Sequence, residues 1–139
     1  DPKPSALVHP DAPPMVFHLS DDKTLIAFHH NRHINTQYVG LTGKMDGMRD
    51  RAEIWISLSK DGGRNWSEPQ FLFTNVTRFN PAKNGWFNHN SSYMDAVIDG
   101  GTIHLFLPHL WNRALYMHLE EKDLAKLPTA QKLARRLAK

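Results

Sequence analysis

The sequence predicts an all-β chain of antiparallel hairpins closed by a short helical tail, and three observations carry that prediction. The first is Ser59-Lys60-Asp61-Gly62-Gly63-Arg64-Asn65-Trp66, set between the apolar runs Ile54-Trp55-Ile56-Ser57-Leu58 and Phe71-Leu72-Phe73. Glycine reaches positive φ without a Cβ clash and Asp bonds its own backbone just downstream, so this stretch reads as strand, tight turn, strand. The turn's closing aromatic can fold back onto it and make it rigid. The second is Asp99-Gly100-Gly101 between two β-rich runs, a strong signal for a primed hairpin turn. The third is a change of period after Glu120, where Leu124, Leu127, Leu133 and Leu137 recur among Ala, Lys and Arg.

In chain order, residues 1–14 hold five prolines, Pro2, Pro4, Pro10, Pro13 and Pro14. They read as a connector with room for at most one short edge strand, because proline cannot donate to a ladder. Met15 to Leu19 and Leu25 to His29 are β-rich runs separated by Ser20-Asp21-Asp22-Lys23-Thr24, the composition of a hairpin turn. Residues 31–50 are polar and glycine-bearing, and a loop of that length inside a compact chain is either functional or disordered. Ala52 to Ser59 and Pro69 to Thr74 are the third and fourth strands, followed by a second long connection over residues 77–90 with Trp86 and Phe87 tucked beneath it. Ser92 to Ile98 and Thr102 to Leu107 make the glycine-turn hairpin, and Ala114 to Leu119 adds a strand beside it. Residues 120–139 give one or two short helices interrupted near Pro128, expected to be solvated, with a basic end that suits the helix dipole.

With 139 residues and 40% hydrophobic content the chain can bury the core of one ordinary domain or a piece of one. The net charge is only +3, and much of the excess sits in Lys132, Arg135, Arg136 and Lys139, so the charge does not call for nucleic acid. The absence of cysteine removes disulfides, thiolate metal sites and a cysteine nucleophile. It fits the cytosol as well as a secreted or periplasmic location, the latter slightly favoured. No apolar run approaches the ~18 residues of a membrane-spanning helix. The chain opens at Asp1 without a visible signal peptide, which leads one to expect a product processed or excised from something longer. The sequons at Asn65, Asn75 and Asn90 matter only in a eukaryotic secretory pathway and read as chance.

The pattern S-x-D-x-G-x-x-W formed by Ser59, Asp61, Gly63 and Trp66 resembles the Asp box, the repeated hairpin turn of sialidases and related six-bladed β-propellers. The resemblance extends over roughly residues 11 to 120. Arg51-Ala52-Glu53-Ile54, ahead of the box, is similar to the family's strand bearing an arginine that holds the sialic acid carboxylate. Ser92-Tyr93-Met94-Asp95 is similar to the strand bearing the nucleophilic tyrosine, and residues 101–106 and 114–118 resemble the closing strands. The resemblance implies that residues 1–119 are the last blades of a larger propeller and that 120–139 form the helical tail. Four consecutive antiparallel strands make one blade. The strands after residue 90 make a second, whose outer strand would come from residues 5 to 9. Two blades cannot bury both flanks of a radial fold, so further blades are expected. The family's Asp boxes lie away from its active site.

By that resemblance the chain belongs to a retaining glycoside hydrolase acting on terminal sialic acid or a related polar sugar, with Arg51 as clamp and Tyr93 as nucleophile. An arginine grips a planar carboxylate bidentately and stays charged. A neutral phenol approaches an anomeric centre beside a carboxylate without the repulsion of a second anion. A phenol is protonated at neutral pH, so a carboxylate base must take its proton. That base and the acid/base Asp belong to earlier blades. His30, Asn31 and Arg32, in the run His29 to His33, together with Asn90, Asp95, Trp111 and Arg113, are expected to hold the glycan through hydrogen bonds, stacking and charge. Neighbouring strand residues point to opposite sides, so His29, His30 and His33 do not converge on one metal, and none is expected.

Each residue also has a plainer reading: Arg51 as a solvated surface cation, Tyr93 as rim packing, Asp95 as a turn support, Trp111 as packing between sheets. Where many sialidases carry an acidic residue after the tyrosine strand, this chain has Pro108-His109, which leaves the sugar open. The expected partners are a glycan or glycoconjugate and the remaining blades, with no cofactor, nucleic acid or membrane span. The alternative is a non-catalytic propeller that binds a glycan or a protein through the same rim.

Overall fold

The computed structural model describes residues 3, 5–7, 14–30, 53–74, 76–80, 85–88, 93–109 and 113–137. The chain is mostly β. Strands β1 (Met15–His18), β2 (Leu25–His29), β3 (Glu53–Ser59) and β4 (Gln70–Thr74) form one antiparallel sheet in the order β1-β2-β3-β4. These are the four strands expected, in a simple meander. Between β3 and β4 the register slips: Ile54 faces Phe73 while Trp55 faces Phe71, which leaves Leu72 as the extra residue of a bulge.

Strands β2 and β3 are buried on both faces, which is why they read as continuous apolar runs rather than alternating ones. Phe28 pairs with Ile56 on one face, while Ala27 pairs with Ser57 and His29 with Trp55 on the other. The sequence expectation of a bare connection over 77–90 is corrected: β5 (Val76–Asn80) and β6 (Gly85–Asn88) pair there as a small antiparallel sheet of their own.

The third sheet is β7 (Asp95–Asp99), β8 (Thr102–His109) and β9 (Arg113–Glu120), antiparallel and in that order. Gly100 and Gly101 alone link β7 to β8, with φ of 55° and 84°. Two successive left-handed residues define the primed turn whose twist matches the strands. The described residues 5–7 belong to no strand, so they supply no outer strand to this sheet, and residues 8 and 9 lie outside the described residues.

One core joins the two larger sheets. Ile26, Phe28, Ile54 and Ile56 of the first meet Ala96, Ile103, Leu105 and Leu107 of the third. Each fully buried side chain of this kind contributes ~1.5–3 kcal/mol of transfer free energy. At one end the turns lock the sheets together. Gly101 N–H donates to Ser20 Oγ (2.9 Å), Ser20 N–H to Glu121 Oε1 (2.8 Å), and Glu121 N–H to the Gly101 carbonyl (2.9 Å).

The tail is helical but not merely solvated. A 3-10 helix (Glu121–Lys126) and α1 (Ala130–Leu137) are separated at Pro128, as the proline predicts. Leu124 enters the main core, and Leu133 forms a second buried cluster with Trp55, packed against Phe71. Hydrogen bonds hold the segment to β4 and to the residues just before it. Phe71 N–H donates to the Pro128 carbonyl (2.8 Å), Gln70 and Thr129 form a β-bridge, and Glu68 Oε1 accepts from Gln131 N–H (3.0 Å). Leucine periodicity marked the inward face, but the exposed face of sheet that receives it existed only after folding.

Candidate functional site

The Ser59–Trp66 turn is held by a hydrogen-bond network centred on Ser59 and Asp61. Ser59 Oγ–H donates to Asp61 Oδ1 (2.8 Å) and accepts from Gly63 N–H (2.9 Å). Asp61 accepts twice from Asn65, at Oδ1 from the backbone N–H (2.9 Å) and at Oδ2 from the side-chain amide (2.6 Å). The Asn65 backbone bond, then its side-chain bond, then the Ser59 hydroxyl pull the Asp61 carboxyl down to about 2. Gly63 sits at φ 85°, and a Cβ there would meet the Trp66 ring at 3.5 Å. Trp66 therefore does fold onto its own turn. Ser67 clamps the strands below it, its Oγ accepting from Leu58 N–H (2.9 Å) and its N–H donating to the Leu58 carbonyl (2.8 Å).

This turn joins the Ser59 end of β3 to β4, whereas His29 and Glu53 lie at the opposite end of the same sheet. In the third sheet Gly100-Gly101 marks one end, and Asp95, His109 and Arg113 lie toward the other. The Ser20–Gly101 bond brings the two turn ends together. The strand ends at His29, Glu53, Asp95 and Arg113 thus lie away from these joined turns.

Tyr93 is placed differently from its expectation as a strand residue. It precedes β7, at φ 63°, with 71% of its surface exposed. A non-glycine residue in that region stores strain, and such residues concentrate at functional positions. Tyr93 and Asp95 are nonetheless both exposed, with buried Met94 between them and buried Ala96 after, so the alternation of exposed and buried residues runs through Tyr93 although the strand begins only at Asp95. The Asp95 carboxylate is exposed and accepts from the N–H of Ala96 at 2.8 Å, so it caps the start of β7.

His30 does sit at the strand end, but it is buried, and its Nδ1 lies 2.6 Å from the Glu53 carbonyl. A carbonyl only accepts, so Nδ1 carries the proton, and the ring staples the end of β2 to the start of β3. Arg113 opens β9 opposite His109. Arg51, Asn31, Arg32, Asn90 and Trp111 lie outside the described residues.

Sequence reasoning missed the polar interior beside this end. Glu53 is buried and its Oε2 accepts from Trp55 Nε1–H (3.0 Å), while His29 Nε2 lies 3.0 Å from Ser57 Oγ. The signal was present: a Glu, a Ser and a His embedded in β-rich runs need partners once buried. Among the described residues no group of three or more His, Cys, Asp or Glu is placed to hold a metal ion, and no helix is long and apolar enough to cross a membrane.

No family model, no curated protein and no solved structure matches the chain.

Proposed function

We propose that the chain contributes the last blades of a sialidase-like six-bladed β-propeller, a retaining glycoside hydrolase for terminal sialic acid or a related polar sugar. The observation that carries the reading is Tyr93, an exposed phenol held in left-handed backbone at the sheet end opposite the Asp-box turn. A four-stranded meander packed face to face with a second antiparallel sheet supports the blade assignment. In this reading Tyr93 Oη bonds to the anomeric carbon as the aglycone leaves, a carboxylate of another blade takes the phenol proton, and Arg51 holds the sugar acid. Water then releases the sugar with net retention.

Tyr93→Phe in the full-length protein, assayed on a fluorogenic sialoside, is expected to lower turnover by at least about a hundredfold. Unchanged turnover removes Tyr93 from the mechanism. A second reading, a propeller that binds glycan without cleaving it, draws on exposed Tyr93 and Asp95 two residues apart, a polar and aromatic surface that can hold a sugar without cutting it. Glycan retention without sugar release by the wild-type protein favours that reading.

A further inference from the structure

The outer face of the third sheet carries a histidine pair that the proposed chemistry does not use. His104 of β8 and His118 of β9 stand directly opposite one another in the register. Both lie on the face turned away from the core, because the alternate residues Ile103 and Leu105 are the buried ones. His118 is exposed and His104 half-buried, so water reaches both imidazoles.

Directly opposed residues on antiparallel strands hold their Cβ atoms ~4.5–5.5 Å apart. At that spacing two imidazoles can turn nitrogens onto one ion with the ~2.0–2.1 Å bonds that zinc takes. Tyr116 already steadies one of them. Its hydroxyl lies 2.8 Å from His104 Nδ1, and its ring runs within 14° of the imidazole plane at 6.0 Å. When Nδ1–H donates to that hydroxyl, Nε2 keeps its lone pair, the arrangement by which a metal-binding histidine is set in one tautomer and one orientation. The same tyrosine ring lies 6.2 Å from the His118 ring, so it flanks both.

Charge points the same way. By strand alternation Asp95, Asp99 and Glu120 share this face, and no Lys or Arg of β7, β8 or β9 does. Glu120 Oε1 accepts from the Thr102 hydroxyl at 3.2 Å, and Lys122, beyond the strand, stands 3.9 Å from its Oε2. The strands thus surround the two imidazoles with carboxylates, a field that favours a cation.

We propose that His104 and His118 form a two-imidazole site for a divalent first-row transition metal of the Zn2+, Ni2+ or Cu2+ kind, with Tyr116 as the positioning residue behind His104. Imidazole suits these ions, whereas Mg2+ and Ca2+ take oxygen ligands. The remaining coordination positions fall to water, and the site is independent of the sialidase-like reading.

The test is protection of each histidine by Zn2+ from diethyl pyrocarbonate, read by peptide mass spectrometry on the full chain. Zn2+ is expected to protect His104 and His118 together, with one half-saturation concentration. His118→Gln is expected to abolish protection at His104, and His104→Gln to abolish it at His118, with folding of both variants checked by far-UV circular dichroism. Tyr116→Phe is expected to raise the half-saturation concentration by about 10–100-fold while both histidines remain protected at saturation. An unchanged half-saturation there overturns the positioning role. Protection of His104 that survives His118→Gln overturns the site, as does exposure of both histidines at millimolar Zn2+. Equal protection by Mg2+ assigns the effect to the carboxylates and overturns it as well.

Discussion

Leu133→Ala tests whether the helical tail is part of the fold or a solvated appendage. Leu133 is 7% exposed, with Trp55 fully buried beneath it and Phe71 beside it. Truncating a core leucine to alanine costs ~2–5 kcal/mol, through lost transfer energy and the cavity left behind. This cluster is small and lies at the margin of the sheet, which places the cost near ~2 kcal/mol. Against a total stability of about 5–15 kcal/mol that is a large fraction. With a urea slope of ~1–3 kcal/mol/M, the midpoint falls by about 1 M. The assay is urea unfolding followed by far-UV circular dichroism, with Lys132→Ala as the reference because Lys132 is exposed on the same helix. Lys132→Ala is expected to stay within ~0.5 kcal/mol of wild type. If Leu133→Ala falls in that same narrow band, the docking of α1 on Trp55 is refuted and the tail is solvated after all.

Asp61 has its folded-state carboxyl lowered to about 2, first by the Asn65 backbone bond, so the ionised form is the one the turn prefers. Its contribution is therefore present above the unfolded carboxylate range and is lost as pH falls from ~4 through ~2. The stability gap between wild type and Asp61→Asn is expected to close over that window in acid unfolding, and a gap constant from pH 5 to 2 contradicts the network. The pairwise difference matters, because Asp21, lowered to about 2 by Thr24 and Lys23, titrates over the same range in both proteins. Tyr93→Asn relieves a left-handed φ that asparagine tolerates, and Tyr93 is largely solvent-exposed. Thermal unfolding is expected to show stability raised by up to ~1 kcal/mol. A clear destabilisation means that the ring makes contacts that outweigh the strain.

Much of the fold was legible because it rests on local chemistry. Gly100-Gly101 and Ser59 to Trp66 specify turns whatever surrounds them, and the strands on either side followed. The β5–β6 hairpin was not legible, since Val76 to Asn80 and Gly85 to Asn88 are joined through Pro81-Ala82-Lys83-Asn84, without a strong two-residue turn signal. At the candidate site the strand order was legible but not the surroundings of the individual side chains. His30 reads as a loop histidine until its Nδ1 is seen donating to the Glu53 carbonyl. The left-handed backbone of Tyr93 has no sequence marker at all, because nothing about tyrosine favours that region.

The sequence by itself determined the β class, the meander of the first four strands, both glycine turns and the break at Pro128, because each depends on residues close in the chain. Only the tertiary structure decided which faces are buried and which turns meet: that β2 and β3 are covered on both sides, that Leu133 lands on Trp55, and that Ser20 joins Gly101 and Glu121. Those outcomes depend on contacts between residues far apart in the chain, such as Ser20 with Glu121, 101 positions away. Periodicity reports that a residue will be buried, but not against what.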